Sequence, residues 1–94
     1  MRSYEMMVVI RADLSEDELT AQLDQIQGWI ETNGGETVEV KHWGTRRLAY
    51  PIRNLRDGYY VLYTINMPPK APLELERNLR FSENVLRYLI IRQE

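Results

Sequence analysis

The sequence predicts an α+β fold of four strands and two helices in the order β-α-β-β-α-β. Three observations lead to this prediction. Two segments carry apolar residues at helical spacing, four segments are rich in β-branched and aromatic residues, and turn residues separate these segments. With 94 residues, 44% of them hydrophobic, the chain is expected to form one domain over residues 1–94.

The first strand and the first helix have clear boundaries. An apolar run from Tyr4 to Ile10, interrupted only by Glu5, predicts strand one. Ser15 followed by Glu18 predicts a capping box, in which each side chain bonds a free amide at the helix start. The helix is expected to stop at residues 33–35, Asn-Gly-Gly. Its buried stripe is Leu19, Leu23, Ile26 and Ile30.

The middle of the chain predicts two strands joined by a hairpin. Glu36 to Trp43 alternate and predict a half-buried strand two, Gly44 allows a bulge or bend, and an extended run resumes from Leu48 to Ile52. A proline in that run predicts a sheet edge, because proline cannot donate a ladder hydrogen bond. Residues 54–58 predict the hairpin loop, and Tyr59 to Met67 predict strand three.

The last third of the chain predicts a short helix and a final strand. Pro72 fits the first turn of this helix, and Leu75 and Leu79 supply its buried contacts. Residues 82–84 end the helix, and Val85 to Ile91 predict strand four. This is the order of ferredoxin-like domains, in which two helices cover one face of a four-stranded antiparallel sheet and the other face stays open.

Polar residues indicate which side of each strand avoids the helices: Glu5, Thr64, Asn66 and Arg87. The core side then holds Met6, Val8, Ile10, Val61, Tyr63, Ile65, Met67, Tyr88 and Ile90. The open side holds Met7, Val9, Tyr60, Leu62, Leu89 and Ile91. Part of an open face this apolar is expected to be covered, because soluble monomers rarely expose a large apolar patch. Helix edges, loops or a dimer could shield it, or a protein or RNA partner could bind there, with Arg87 and Arg2 at its margin.

The charge is divided between the two halves of the chain. A net charge of −2 combines −7 over residues 1–40 (two basic, nine acidic) with +5 over residues 41–94 (ten basic, five acidic). Arginine and tyrosine alternate through the basic half: Arg46, Arg47, Tyr50, Arg53, Arg56, Tyr59 and Tyr60. Such a segment is typical of RNA contact, where guanidinium groups bind phosphates and rings stack on bases, but it also suits a solvated surface.

No pattern in the sequence indicates catalysis. His42 is the only histidine, cysteine is absent, and the chain has no glycine-rich phosphate loop. The sequence also shows no signal peptide and no apolar stretch long enough to span a membrane. It therefore predicts a cytoplasmic protein that is not an enzyme and that binds no metal or cofactor.

The segment from Gly44 to Arg53, GTRRLAYPIR, closely resembles the signature of ribosomal protein six of the bacterial small subunit. The likeness covers the whole chain, from an Arg-x-Tyr-Glu opening at residues 2–5 to Asn84, Val85 and Arg87 near the end. It implies a ferredoxin-like structural protein of the cytoplasmic ribosome. It also implies binding to the central domain of 16S ribosomal RNA, as a heterodimer with ribosomal protein eighteen.

The resemblance further implies roles for individual residues. Those expected to touch RNA are Arg2, Arg53, Arg56, Tyr60, Arg80 and Arg87. Those expected at an interface with the partner protein or RNA are Arg46, Arg47, Leu48, Tyr50, Leu62, Leu89 and Ile91. Leu62 stands where an aromatic residue would stack on a base, which favours an apolar partner contact. The alternative is a ferredoxin-like regulatory module that self-associates through the open face and binds a small molecule.

Overall fold

The computed structural model describes residues 1–93. Its elements are β1 (Arg2–Arg11), α1 (Glu16–Thr32), β2 (Glu36–Ile52), β3 (Leu55–Met67), α2 (Ala71–Arg80) and β4 (Val85–Arg92). The strands form one antiparallel sheet in the order β2-β3-β1-β4, and both helices pack on one face of it. The predicted fold class is confirmed. Neither helix is long and apolar enough to cross a membrane.

The start of α1 is fixed by the predicted capping box. The Ser15 hydroxyl accepts a hydrogen bond from the Glu18 amide at 3.2 Å, and a Glu18 carboxylate oxygen accepts one from the Ser15 amide at 3.0 Å. These hydrogen bonds, first the one from the Ser15 backbone, lower the pKa of Glu18 below its ordinary value of 4.5. At the other end, Gly34 adopts a φ of +80°, which a residue with a side chain rarely adopts.

Acid is expected to weaken this cap. Because the pKa of Glu18 is lower in the folded chain, its contribution to stability is complete above 4.5 and is lost as the pH falls through the lower folded value. Glu18→Gln keeps the capping geometry without titrating, so its free energy of unfolding should fall less steeply with acid. Urea denaturation between pH 5 and 2 checks this, with Glu31→Gln at the far end of α1 as the control. Equal slopes for wild type and Glu18→Gln would contradict it.

The core lies between the helices and the inner face of the sheet. Of the residues predicted there, the seven on β1 and β3 are at most 2% exposed. Tyr88 and Ile90 of β4 are partly buried and pack against the same cluster. The helices contribute four residues to this cluster: Ile26, Ile30, Leu75 and Leu79. Glu5 pairs with Thr64 and Arg87 pairs with Val9, so these polar side chains lie on the opposite, open face, as predicted.

Strand β2 differs from the prediction of a half-buried strand. Val38 and Val40 are 58% and 37% exposed, because β2 lies at the sheet edge. The register with β3 shifts between Thr37 and Glu39 and again between His42 and Gly44, so Val38 and Trp43 are bulged. Each bulge reverses which residues face the helices. Gly44, which was expected to allow a bulge or bend, directly follows the bulged Trp43 and has a φ of +83°.

The hairpin is tighter than predicted. Ile52 pairs with Leu55, so the turn consists of Arg53 and Asn54 alone, with φ angles of 50° and 66°. Two consecutive residues with positive φ form the turn that best matches the twist of a hairpin. The predicted loop at residues 54–58 is wrong. Most of it is the first part of β3, and Gly58 pairs with Arg11 inside the sheet.

Candidate nucleic-acid and partner interface

The end of β2, the turn and the start of β3 form a projecting hairpin, residues 46–57, which we call the arm. The last pair between β1 and β3 is Arg11 with Gly58, so the arm extends beyond β1. Within it, the register jumps between Arg47 and Ile52, and residues 48–51 oppose Arg56 alone. Such an excess of residues on one strand bends a hairpin. The bend carries the arm over the open face toward β4.

Apolar packing holds the base of the arm against the sheet. Leu48 is only 8% exposed and Val9, on the open face of β1, only 4%. They meet above Gly58, where an added Cβ would collide with Val9 Cγ1 and approach Leu48 Cδ2 to 3.1 Å. Gly58 therefore serves close packing here and not a turn. Leu48, expected at a partner or RNA interface, packs against Val9 and Gly58 within the chain, and its contact with a partner stays a prediction.

Two polar contacts hold the outer part of the arm over β4. The Arg87 guanidinium lies 5.8 Å from the centre of the Tyr50 ring, within the range of a cation–π interaction. At the tip, Arg53 Nη1 donates a hydrogen bond of 2.7 Å to the Glu83 carbonyl oxygen in the loop between α2 and β4. Residues predicted separately from the signature and from the last strand thus form one surface.

The arm concentrates positive charge, with four arginines and one acidic residue, Asp57. Arg46, Arg47, Arg53 and Arg56 are all exposed, and none forms a salt bridge with any residue of 1–93. The Arg46 guanidinium lies 5.3 Å from the centre of the Trp43 ring. A cleft of about 230 Å³ lies along the arm and is lined by Arg47, Leu48, Ala49, Tyr50, Pro51 and Arg56. Exposed guanidinium forks beside a tyrosine suit phosphate contact and base stacking.

Beyond the arm, the open face is apolar. A cleft of about 170 Å³ is lined by Met7, Val9, Tyr60, Arg87, Tyr88 and Leu89. Tyr60 and Leu62 are half-buried, whereas Leu89 and Ile91 of β4 remain 57% and 51% exposed. The arm therefore covers only one end of this face. The uncovered β4 end is suited to apolar contact with another molecule.

Two of the predicted RNA-binding residues lie away from this surface. Arg2 pairs with Met67, a core residue, so it has the helix-side parity of β1 and does not border the open face as expected. Arg80 ends α2 on the helix-covered side. There, the neighbouring Tyr88 hydroxyl raises the pKa of Arg80. Contact of either residue with RNA would require a second region of contact.

Sequence reasoning missed two contributors to the surface. Trp43 lies against Arg46, and an aromatic residue three positions before an arginine is the sequence signal that could have indicated this contact. The Glu83 carbonyl carried no signal, because any residue offers a carbonyl oxygen. No group of three or more His, Cys, Asp or Glu within the described part of the chain is placed to hold a metal ion.

The chain is similar to known proteins along its whole length. The family model for ribosomal protein S6 matches residues 3–92. The chain is 46% identical to the small ribosomal subunit protein bS6 of Caldanaerobacter subterraneus subsp. tengcongensis, over all of this chain and 99% of that relative. It is 44% identical to the protein of the same name from Moorella thermoacetica, over all of this chain and 96% of that one.

Solved structures agree with the sequence matches. The crystal structure of 30S ribosomal protein S6 from Thermotoga maritima superimposes with a TM-score of 0.91 at 26% identity, over 98% of this chain and 87% of that one. The C-terminal domain of the MgtC protein from Mycobacterium tuberculosis superimposes with a TM-score of 0.68 at 15% identity, over 100% of this chain and 89% of that one. The second likeness shows the fold alone.

Proposed function

This chain belongs to the ribosomal protein S6 family, and we propose that it binds the central domain of 16S ribosomal RNA together with ribosomal protein eighteen. The family is structural and not enzymatic, and the chain is a structural protein of the small ribosomal subunit. As a ribosomal protein, the chain is located in the cytoplasm. The RNA contact and the identity of the partner are the proposed steps.

The observation that carries the RNA contact is the arm. Its four exposed arginines have no acidic partner among residues 1–93, and Arg87 lies next to them beneath Tyr50. An unpaired guanidinium can bind phosphate without first losing an internal ion pair. The arm and β4 would neutralise phosphates, while Tyr50 and Tyr60 offer rings to unpaired bases.

The partner protein is proposed to take the open face and the exposed edge strand β2. Leu62, Leu89 and Ile91 present apolar surface beyond the arm, and Val38 and Trp43 remain 58% and 44% exposed along β2. Leu62 lies on the interior strand β3, and the other groups lie on the two edge strands, β2 and β4. A protein that covers these groups would bury their apolar surface away from water, whereas the charged phosphates of RNA could not.

The distribution of charge supports joint binding. α1 carries five acidic residues and no basic one, whereas the arm is basic. Alone, the chain has a net charge of −2, which weakens its attraction to RNA. A basic partner on the open face would extend the positive surface and strengthen the approach to phosphates.

The test is a titration of a labelled central-domain fragment of 16S RNA with this chain alone and with the partner added. We expect the partner to tighten binding by at least about tenfold, because the pair presents more positive surface. Equal affinity with and without the partner would contradict joint binding. Size-exclusion chromatography of the isolated chain tests the alternative, since a stable homodimer without RNA would favour a self-associating module.

A further inference from the structure

Gln22 occupies a position in α1 where the pattern calls for an apolar residue. It lies one turn before Ile26 on the buried stripe and is only 4% exposed, the one buried polar side chain within residues 1–93. Burial of an amide is unfavourable unless the amide forms hydrogen bonds. The bonds it forms therefore identify what the residue does.

The Gln22 amide holds the loop between α2 and β4. Its Oε1 accepts hydrogen bonds from Ser82 Oγ at 3.3 Å and from Asn84 Nδ2 at 3.1 Å. Its Nε2 donates to Gln25 Oε1 at 3.3 Å, which orients the amide. The Asn84 carbonyl also accepts from the Arg11 amide at 2.9 Å. The residues on both sides of Glu83 are thus held by Gln22 of α1, and Asn84 is held by β1 as well.

Glu83, held between those two residues, supplies the carbonyl that binds the arm. Its oxygen accepts the 2.7 Å hydrogen bond from Arg53 Nη1. Arginine has five N–H donors, so this bond orients the guanidinium and leaves other donors for a phosphate. Arg53 and Asn54 both have positive φ, a conformation that costs free energy in residues with side chains and persists only where surrounding contacts hold it.

We propose that Gln22 is a positioning residue for RNA binding, which acts through the loop of Ser82, Glu83 and Asn84 to hold Arg53 in its RNA-binding orientation. This inference rests on the proposed function. It links the helix-covered side of the sheet to the tip of the arm through two hydrogen bonds from the loop to Gln22 and one from Arg53 to the loop. A guanidinium oriented before binding loses less side-chain freedom when it meets a phosphate.

The test uses Gln22→Leu, which suits the apolar stripe of α1 but removes both acceptor contacts. We expect RNA affinity, measured with the partner present, to fall by about three- to tenfold, because Arg53 is no longer held. Gln27→Leu is the matched control, since it makes the same change in α1 but removes only the hydrogen bond that Gln27 accepts from Thr37 of β2, and it should bind as wild type. In the Arg53→Ala background, Gln22→Leu should have no further effect.

NMR of the free protein supplies an independent readout. Gln22→Leu should shift the signals of Arg53 and Asn54, more than thirty residues away in sequence, and Gln27→Leu should not. Asn84→Ala, which removes one of these contacts from the loop side, gives a second variant if Gln22→Leu does not fold. Unmoved Arg53 signals, or equal loss of affinity with and without Arg53, would overturn the proposal. Failure of the wild-type pair to bind RNA would instead overturn the proposed function.

Discussion

Gly58→Ala should destabilise the protein by about 1–3 kcal/mol, the usual cost of forcing an extra carbon into a packed site. The added Cβ would collide with Val9 Cγ1 on β1 and approach Leu48 Cδ2 to 3.1 Å. Gly58 lies inside the ladder, opposite both Arg11 and Arg46. The collision can therefore be relieved only if the arm moves, because Gly58 does not lie in a free loop. Urea denaturation measures the loss in the free energy of unfolding.

Gly28→Ala is the matched control, because it makes the same chemical change in the interior of α1. A Cβ at Gly28 meets no atom within 4 Å, and the glycine has no positive φ. Alanine is the better helix former, so this variant should be stabilised by about 0.5–1 kcal/mol. The two glycines should thus respond with opposite sign. A Gly58→Ala protein as stable as wild type would contradict the described packing of the arm on the sheet.

Replacing three arginines, Arg53, Arg56 and Arg87, with glutamine should reduce RNA affinity on the order of 10- to 100-fold. The slope of log affinity against log salt concentration should also become shallower by about two to three units. Each lost phosphate contact removes slightly less than one unit from this slope. All three side chains are exposed and lie on or beneath the arm. Filter binding or fluorescence anisotropy over a range of salt measures both effects in the presence of the partner.

The control triple variant changes Lys70, Arg77 and Arg92 to glutamine and lowers the net charge by the same three units. Lys70 and Arg77 belong to the α2 region, and Arg77 already pairs with Glu74 at 3.5 Å. Arg92 pairs with Tyr4, on the helix-covered side of the sheet. This variant should retain most of its affinity and its salt dependence. Equal losses in both variants would mean that net charge, and not contact by the arm, determines binding.

Strand parity was predictable because one polar residue is enough to orient a strand of regular period. Glu5 and Arg87 correctly placed β1 and β4 between core and open face. The same logic failed on β2, where the bulges at Val38 and Trp43 reverse the alternation. A bulge depends on pairing with a neighbouring strand, so the strand's own residues indicate it only where a glycine such as Gly44 allows it.

The hairpin turn was misplaced because the strongest local signal served another purpose. Asp57-Gly58 is a typical turn dipeptide, but this glycine is required by the close approach of Val9 and Leu48. The actual turn uses Arg53 and Asn54, of which only asparagine favours positive φ. The basic and aromatic composition of the site was readable from the sequence. Its closure over β4 was not, because it depends on contacts such as that of Arg53 with the Glu83 carbonyl.

The irregular edge strand β2 should also hinder the addition of strands from other chains. A long, exposed strand with unpaired backbone groups is a template on which further chains can add, and β2 has 17 residues with several exposed apolar side chains. Its bulges at Val38 and Trp43 leave no stretch of continuous register longer than four residues, as in Glu39–His42 and Gly44–Arg47, and Pro51 follows in the arm. A regular stretch of four residues is short for pairing with a strand of another chain. Newly made chains should therefore stay monomeric until they assemble into the ribosome.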